Sequence, residues 1–193
     1  AQRVDVLVRA PQSGTRTLRT LPFNQGGTKF AAADLATVNV AGPAAAKLAA
    51  PGLHAKLPTF PARRGPKRRW TFSFSSAGAV INGRPFDPNR IDVRPRLGTT
   101  EGWVLRNEST DWHPIHVHQD DFRVVRINGK RVNVRSDRDV VPLPPEHNGV
   151  PGRVDIDMPF QDYSGDFVLH CHILTHAEND TGMFGMVTAL IIK

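Results

Sequence analysis

Side chains that bind soft metal ions cluster near the carboxyl end of this 193-residue chain. The only cysteine, Cys171, lies between His170 and His172, and His176 and Met183 follow it closely. A thiolate, two imidazoles and a weakly bound thioether form the ligand set of a blue copper site. Cys171, His176 and Met183 would supply three of these four ligands, so the segment predicts a mononuclear copper site.

A second group of histidines lies upstream, at His113, His116 and His118. On a β-strand, successive side chains point to opposite faces and residues two apart share a face. His116 and His118 then lie together, whereas His113 points the other way. We therefore expect His113 to supply the missing imidazole of the mononuclear site.

The same alternation applies to His170, Cys171 and His172 and predicts a second metal site. Both histidines fall on one face and the sulfur falls on the other. The second face then collects four imidazoles that are suited to further copper ions: His116, His118, His170 and His172. The backbone between the Cys171 sulfur and the flanking histidines would connect the two sites covalently, which is the arrangement of an oxidase.

These motifs resemble the carboxyl-terminal cupredoxin domain of the multicopper oxidases, the group that includes laccases, bilirubin oxidases and cuprous oxidases. The resemblance rests on HPIHVH at 113–118, on HCHILTH at 170–176 and on the pair Gly182-Met183, and it covers about residues 66–193. It implies an all-β fold, a cupredoxin-like Greek-key β-sandwich. It also implies copper as the cofactor, in type 1, type 2 and type 3 centres.

The resemblance further implies a role for each candidate ligand. The type 1 copper would be bound by His113, Cys171, His176 and, in the axial position, Met183. The other coppers would be bound by His116 (type 2) and by His118, His170 and His172 (type 3). Compared with the family's usual spacing, two extra residues precede the Gly-Met pair, so Met186 is the alternative axial ligand.

A laccase-like copper oxidase is the activity that this resemblance implies. One-electron oxidation of a substrate at the type 1 copper would be coupled to four-electron reduction of dioxygen to water at a trinuclear cluster. Small reducing substrates of relatives include phenols, aromatic amines, metal ions and bilins. The chain has only three methionines and no methionine-rich insert, which favours a phenol oxidase over a cuprous oxidase.

Carboxylates near the two motifs lead to two further expectations. Dioxygen reduction consumes protons, and family members place a carboxylate just after the second type 1 histidine. Glu178 is the first candidate for this catalytic role and Asp180 is the second. Imidazole rings at metal sites are usually oriented by another hydrogen bond, and Asp111, Asp120 and Asp121 are candidate partners.

The chain divides into three predicted stretches. Residues 1–41 contain alternating runs at 3–8 and 15–21 that predict strands and resemble the closing strands of a preceding, middle cupredoxin domain. Residues 42–68 form an Ala/Pro-rich linker. Residues 69–193 form the carboxyl-terminal cupredoxin domain, in which Asn128-Gly129 indicates a β-hairpin.

The number of histidines predicts an incomplete trinuclear site. In the family, about eight imidazoles bind the three-copper cluster, and half of them come from an N-terminal domain. This sequence has no second pair of His-x-His segments, and His54 and His147 stand alone in Pro-rich loops. We therefore expect a complementary chain or portion to carry the N-terminal cupredoxin histidines.

Composition limits the partners and the location. Basic residues concentrate in a linker-like run at 63–69, and the others are scattered through strands without aromatic stacking platforms, so we expect no nucleic-acid partner despite the net charge of +7. Apolar runs are far shorter than the ~20 residues needed to span a bilayer. A single cysteine excludes an internal disulfide. The resemblance implies a periplasmic or extracellular location.

Two other classes share parts of this pattern. An electron-transfer cupredoxin binds a single copper, but it has no use for the four histidines on the second face. A copper nitrite reductase has the same fold and two copper types, but the combination of HPIHVH and HCHILTH fits it less well. Dioxygen uptake against nitrite consumption separates the two enzymes.

Overall fold

A computed structural model describes residues 3, 6–10, 12–43, 46, 59–133, 136–179 and 182–193. For residues 179, 182 and 183 it describes only the backbone. The chain divides into two compact units, Arg3–Leu57 and Pro58–Lys193. Most of the linker predicted at 42–68 lies outside the described residues, and so does His54.

The first unit contains two antiparallel strand pairs whose side chains are almost all exposed. The strands are β1 (Gly14–Arg19), β2 (Phe23–Asn24), β3 (Lys29–Phe30) and β4 (Asp34–Val40). β1 pairs with β4, and β2 pairs with β3. The strand predicted at 15–21 is therefore found, one residue earlier at its start and two earlier at its end.

The strand predicted at 3–8 is not formed by the residues of that run that the structure describes. Val6, Leu7 and Val8 lie outside any strand and are 73–86% exposed. A strand needs a neighbour that pairs with its backbone N–H and C=O groups, and no described segment pairs with these residues. The alternation of apolar side chains does not indicate whether a neighbouring segment is present to pair with the backbone.

The second unit contains twelve strands and a short helix among its described residues. The elements up to the middle of the unit are β5 (Lys67–Ser75), β6 (Gly78–Ile81), β7 (Thr99–Asn107), β8 (His113–Val117), β9 (Arg123–Ile127) and β10 (Lys130–Arg131). The remaining elements are β11 (Val140–Leu143), β12 (Gly152–Phe160), β13 (Gly165–Cys171), α1 (Leu174–Ala177), β14 (Glu178–Asn179), β15 (Gly182–Met183) and β16 (Val187–Ile192). No helix in the described residues is long and apolar enough to cross a membrane.

Two sheets form this unit. One has six strands in the order β10-β9-β12-β7-β5-β6, and the other has four in the order β11-β8-β13-β16. A single hydrophobic cluster joins buried residues of both sheets, including Trp103 and Ile156 from the first and Ile115 and Leu169 from the second. The structure is therefore the all-β sandwich that the sequence predicts.

The edge of the six-stranded sheet confirms the predicted hairpin. β9 and β10 are antiparallel and are joined by Asn128 and Gly129. Both linking residues have positive φ, 47° and 77°. Such a turn favours Asn-Gly, because these residues adopt the left-handed conformation at the lowest cost.

β8 shows how the sandwich positions histidines. Its residues alternate between buried and half-buried, with His113, Ile115 and Val117 fully buried. His116 is half-buried and points to the opposite face from these three. One strand therefore presents imidazoles on both of its faces.

Candidate metal centre

Pairing of β8 with β13 brings the two histidine motifs together. The strands are antiparallel, with His116 opposite His170 and Ile115 opposite Cys171. Just beyond the end of β13, the backbone N–H of His172 donates a hydrogen bond to the carbonyl of Pro114 at 2.7 Å. The register thus fixes which histidines of one motif face those of the other.

The first cluster consists of His113, Cys171 and His176. The Cys171 Sγ lies 3.6 Å from the His113 Nδ1 and 3.8 Å from the His176 Nδ1. The two Nδ1 atoms are 3.2 Å apart. His113 and Cys171 are fully buried, whereas His176 on α1 is only half-buried. Two nitrogens and a sulfur therefore form a compact triangle.

A buried polar network supports this cluster from behind His113. Ser109 Oγ lies 2.7 Å from His113 Nε2 and donates its own hydrogen to Asn107 Oδ1 at 2.8 Å. The Asn107 amide nitrogen donates to the carbonyls of Asp111, at 2.6 Å, and Pro144, at 3.0 Å. Because both of those partners can only accept, the orientation of the amide is fixed.

Burial keeps the donors of the first cluster uncharged. It lowers the pKa of His113 to about 4, an effect that the nearby charge of His176 reinforces and Asp111 opposes. Burial also raises the pKa of the Cys171 thiol to about 12. A cation between these atoms would favour the thiolate and would coordinate the imidazole lone pairs. The donor set, two imidazoles and one thiolate, fits copper.

The second cluster is made of imidazoles alone. One nitrogen from each of His116, His118 and His170 lies within 4.8 Å of the others. The Nε2 atoms of His118 and His170 are 3.2 Å apart. The ring of His172 lies 5.5 Å from that of His170 and 5.8 Å from that of His116, measured between centroids. All four predicted imidazoles are therefore neighbours.

Hydrogen bonds to carbonyl groups set the tautomers of two of these rings. Nδ1 of His116 donates to the carbonyl of Asp139 at 2.8 Å. Nδ1 of His170 donates to the carbonyl of Cys171 at 2.9 Å. Because a carbonyl only accepts, both Nδ1 atoms carry the hydrogen, and the lone pair of each ring is on Nε2, the atom that would bind a metal ion.

Burial and mutual repulsion also disfavour the charged form of two rings in this second cluster, His118 and His170. The pKa of His118 is lowered first by burial and then by the charges of His116, His170 and His172. The pKa of His170 is lowered by burial, against an opposing hydrogen bond to the Cys171 carbonyl. Neutral imidazoles are the form that binds metal ions. The cluster therefore fits copper as well.

The two clusters lie on opposite faces of the strand end that they share. Cys171 points into the core, whereas His170 points to the other face. The separation predicted from side-chain alternation is confirmed by these positions. A single peptide bond joins the residue that carries the sulfur to the residue that carries an imidazole of the second cluster.

The candidate axial ligands lie on the segment after α1. The backbone of Met183 pairs with Glu178, and the Met183 side chain lies outside the described residues. Met186 is fully buried in the hydrophobic core. Its carbonyl accepts from the Cys171 N–H at 3.0 Å, and its N–H donates to the His176 carbonyl at 2.6 Å. The backbone of Met186 therefore connects, by hydrogen bonds, the two segments that carry Cys171 and His176.

The remaining candidates are not part of either cluster. The side chain of Glu178 is exposed, and Asp180 lies outside the described residues. His147 is exposed in a turn, where its Nε2 contacts the Asn148 amide at 3.2 Å. Asp120 has a carboxylate oxygen, Oδ2, without a hydrogen-bond partner among the described residues.

Several supporting residues were not predicted from the sequence. Ser109 and the carbonyls of Asp139 and Cys171 hold the rings, in roles for which carboxylates had been expected. Phe74 packs edge-on against His176, with ring centroids 5.2 Å apart, and is 47% exposed. The position of Ser109, four residues before His113, could have suggested the hydrogen bond between them. The contact between Phe74 and His176 joins segments that are distant in the sequence, so no local pattern indicates it.

Together, the sandwich and its paired donor clusters define a copper-binding protein with a cupredoxin fold. Residues 54–189 match the sequence model of the multicopper oxidase family, and the chain belongs to this family, whose members bind copper at type 1, type 2 and type 3 sites.

Relatives and solved structures agree with this membership. A multicopper oxidase of Staphylococcus aureus is 34% identical over 114 residues, which cover 56% of this chain and 24% of that protein. A laccase of Haloferax volcanii is 36% identical over 100 residues, or 52% of this chain and 17% of that protein. The solved multicopper oxidase of Campylobacter jejuni has the same fold, with a TM-score of 0.75 and 24% identity over 96% of this chain and 42% of that one. The chain thus spans a minor part of these relatives.

Proposed function

We propose that this chain is the carboxyl-terminal portion of a laccase-like copper oxidase. The observation that carries the proposal is the pair of donor clusters on opposite faces of β13, joined through Cys171. In this proposal residues 69–193 are the final cupredoxin domain, and residues 1–41 are closing strands of the preceding one. The stretch between them, predicted at 42–68, is a link only as far as Pro58, where the second compact unit begins.

The ligand assignment follows the two clusters. His113, Cys171 and His176 would hold the type 1 copper, together with the thioether of Met183. The remaining copper ligands are His116 for type 2 and His118, His170 and His172 for type 3. When bound, copper supplies one-electron redox chemistry that couples oxidation of a reducing substrate to reduction of dioxygen to water.

In this proposal, residues of the chain define where the reducing substrate approaches and how electrons reach the second cluster. His176 is the more exposed imidazole of the first cluster, so a reducing substrate approaches there, beside the exposed ring of Phe74. Cys171 and His170 form the covalent path to the second cluster. Burial of His113 and Cys171 keeps water away from the first cluster.

Phenols are the proposed class of reducing substrate, because the chain has no methionine-rich insert for metal ions. Glu178 is the first candidate for proton supply, since its exposed side chain lies two residues after His176. Asp180 is the second. A periplasmic or extracellular location is part of the same proposal.

Only one half of a trinuclear site is expected from this chain. The four imidazoles of the second cluster face away from the core, and His116, His118 and His170 are half-buried. Half-buried imidazoles with free lone pairs can be completed by ligands from outside this chain. We assign those ligands to a complementary portion with N-terminal cupredoxin histidines.

The test measures the copper content, the dioxygen uptake and the nitrite consumption of the complete oxidase that includes this chain. We expect dioxygen uptake with a phenol, no nitrite consumption, and loss of turnover in Cys171→Ser with the fold retained by circular dichroism. His147→Ala, which changes an exposed histidine, serves as the matched control and should keep full activity. Nitrite consumption, or full activity in Cys171→Ser, would overturn the proposal.

A further inference from the structure

The outer face of the six-stranded sheet carries an excess of positive charge. Its side chains alternate with the buried ones of β5, β7, β12 and β9, and the pairing of these strands aligns them in three rows. Arg63 adds a cation from outside the strands, because its guanidinium group lies over Gly102 on β7. The cations on the strands of this surface, the basic face, are Lys67, Arg69, Arg106, Arg123, Arg126 and Arg153.

Two carboxylates on the same rows are already paired with some of these cations. Asp155 accepts hydrogen bonds from Arg153, at 2.7 and 3.2 Å, and lies 4.0 Å from Arg126. Asp157 accepts a hydrogen bond from Nε of Arg63 at 2.8 Å. The cations of the basic face therefore outnumber the carboxylates that neutralise them.

Other cations of the basic face have no such partner or lie beside another cation. Within the described part of the chain, Lys67 and Arg69 form no ion pair, and both are exposed. Arg106 lies directly opposite Arg153 on the neighbouring strand, and its contact with the exposed Glu108, at 3.4 Å, contributes little. Like charges directly opposite each other destabilise a sheet. An anion beside the sheet would offset this repulsion.

The basic face is broad in two dimensions. Neighbouring strands are about 4.8 Å apart and the rows about 7 Å apart, so the cations are spread over roughly 14 Å in each direction. A linear polyanion contacts only a strip of such a surface, whereas the headgroups of a lipid bilayer are also spread in two dimensions. No large apolar side chain that is exposed among the described residues lies on these rows. A bilayer would therefore be bound through charge, without insertion.

We propose that the basic face binds the surface of a lipid bilayer that contains anionic phospholipids. Guanidinium groups bind phosphate through two parallel hydrogen bonds, and all the strand cations except Lys67 are arginines. Each lysine or arginine near an anionic bilayer adds to the binding free energy, and salt weakens this attraction. The surface is on the six-stranded sheet, whereas the histidine clusters lie on and beside β8 and β13 of the other sheet. The inference does not depend on the oxidase activity proposed above.

The experiment is cosedimentation of the complete protein that includes this chain with vesicles of equal parts phosphatidylglycerol and phosphatidylcholine. We expect binding that weakens as sodium chloride is added, and no binding to vesicles of phosphatidylcholine alone. The variant Lys67→Gln/Arg69→Gln removes two charges without breaking an ion pair and should weaken binding at least tenfold. The variant Arg94→Gln/Arg96→Gln removes two exposed charges beside β16 of the other sheet and should bind as the wild type does.

Arg106→Gln provides a second variant, on another strand, in case the changes on β5 disturb folding. It should weaken binding to the anionic vesicles by roughly fivefold. Equal binding to phosphatidylcholine vesicles, undiminished binding in both variants of the basic face, or binding of soluble polygalacturonate without binding of the anionic vesicles would each overturn the proposal.

Discussion

Ser109 Oγ lies 2.7 Å from Nε2 of His113, in the interior of the sandwich. The hydroxyl hydrogen of Ser109 is directed to Asn107, so its oxygen accepts the Nε2 hydrogen of His113. The imidazole lone pair is then on Nδ1, the atom that faces the Cys171 sulfur. Ser109 therefore selects the tautomer that a metal ion in the first cluster requires.

Replacing Ser109 with alanine should weaken copper binding in the first cluster. Loss of a hydrogen bond that orients a ligand typically lowers metal affinity by roughly 10–100-fold. We also expect a shifted reduction potential and an altered type 1 electron paramagnetic resonance spectrum. Competition with a copper chelator, followed through the blue absorption band, measures the affinity.

Two variants distinguish a lost orientation of the His113 ring from a general destabilisation of the protein. Ser109→Thr keeps the hydroxyl and should restore most of the affinity. Ser164→Ala removes an exposed hydroxyl elsewhere and should change nothing. If Ser109→Ala kept the wild-type affinity, potential and spectrum, Ser109 would have no role in positioning His113.

The pattern of the histidine motifs was enough to predict which rings share a face. Alternation on β8 and β13 depends only on strand geometry. His118 and His172 each lie one residue beyond the strand, yet their rings remain beside those of His116 and His170. The partners of the rings were harder to predict. Ser109 reaches His113 because Asn107, at the end of β7, holds it there. Every residue has a backbone carbonyl, so the sequence does not indicate which one, such as that of Asp139, accepts a hydrogen bond from a ring.

Pairing between distant segments was the other limit of prediction. The run at 3–8 has the alternation of a strand, but its described residues Val6, Leu7 and Val8 lie outside any strand. The linker composition at 42–68 could be recognised, whereas the first strand of the second unit begins at Lys67, inside that stretch. That start depends on parallel pairing with β7, which is set by tertiary contacts.

The two methionines after α1 can be distinguished by conservative substitution. Met183→Leu should raise the reduction potential of the type 1 copper, because an axial thioether gives a lower potential than an apolar group. Met186→Leu should leave the potential unchanged, since its side chain belongs to the hydrophobic core. A redox titration of the blue band decides between them, and the reverse result would make Met186 the axial ligand.

A buried ion pair should contribute strongly to the stability of the second unit. Arg68 donates to both carboxylate oxygens of Glu101, at 2.5 and 2.7 Å, and Trp103 donates to Glu101 Oε2 at 2.8 Å. Glu101 is only 1% exposed. The variant Arg68→Ala leaves the buried Glu101 carboxylate without its cation and should lower the free energy of unfolding by about 3 kcal/mol. Urea denaturation measures this loss.

Removing the charge of Glu101 as well should recover part of that loss. The double variant Arg68→Ala/Glu101→Gln buries a neutral amide in place of an unpaired carboxylate. Arg84→Ala, at an exposed position, should stay within about 0.5 kcal/mol of the wild type. Equal stabilities of Arg68→Ala and Arg84→Ala would show that the ion pair contributes little.

Gly185 brings the segment after α1 against the carbonyl group of His176. A Cβ atom added at Gly185 would lie 2.1 Å from that carbonyl oxygen, which is backbone and cannot move aside alone. Gly185→Ala should therefore displace His176 from His113 and Cys171, bleach the blue band and lower the free energy of unfolding by about 2 kcal/mol or more. Absorption spectra and urea denaturation of the copper-loaded protein measure both effects.

Gly102 offers the matched comparison. A Cβ atom there would approach atoms of the Arg63 guanidinium group at 2.8 Å, and this side-chain end can shift at the expense of its partly exposed ion pair with Asp157, which is worth about 1 kcal/mol or less. Gly102→Ala should therefore keep the blue band and lose less stability than Gly185→Ala. Because both variants add the same methyl group to a strand or loop backbone, a retained blue band in Gly185→Ala would mean that the close approach to His176 does not hold the type 1 site together.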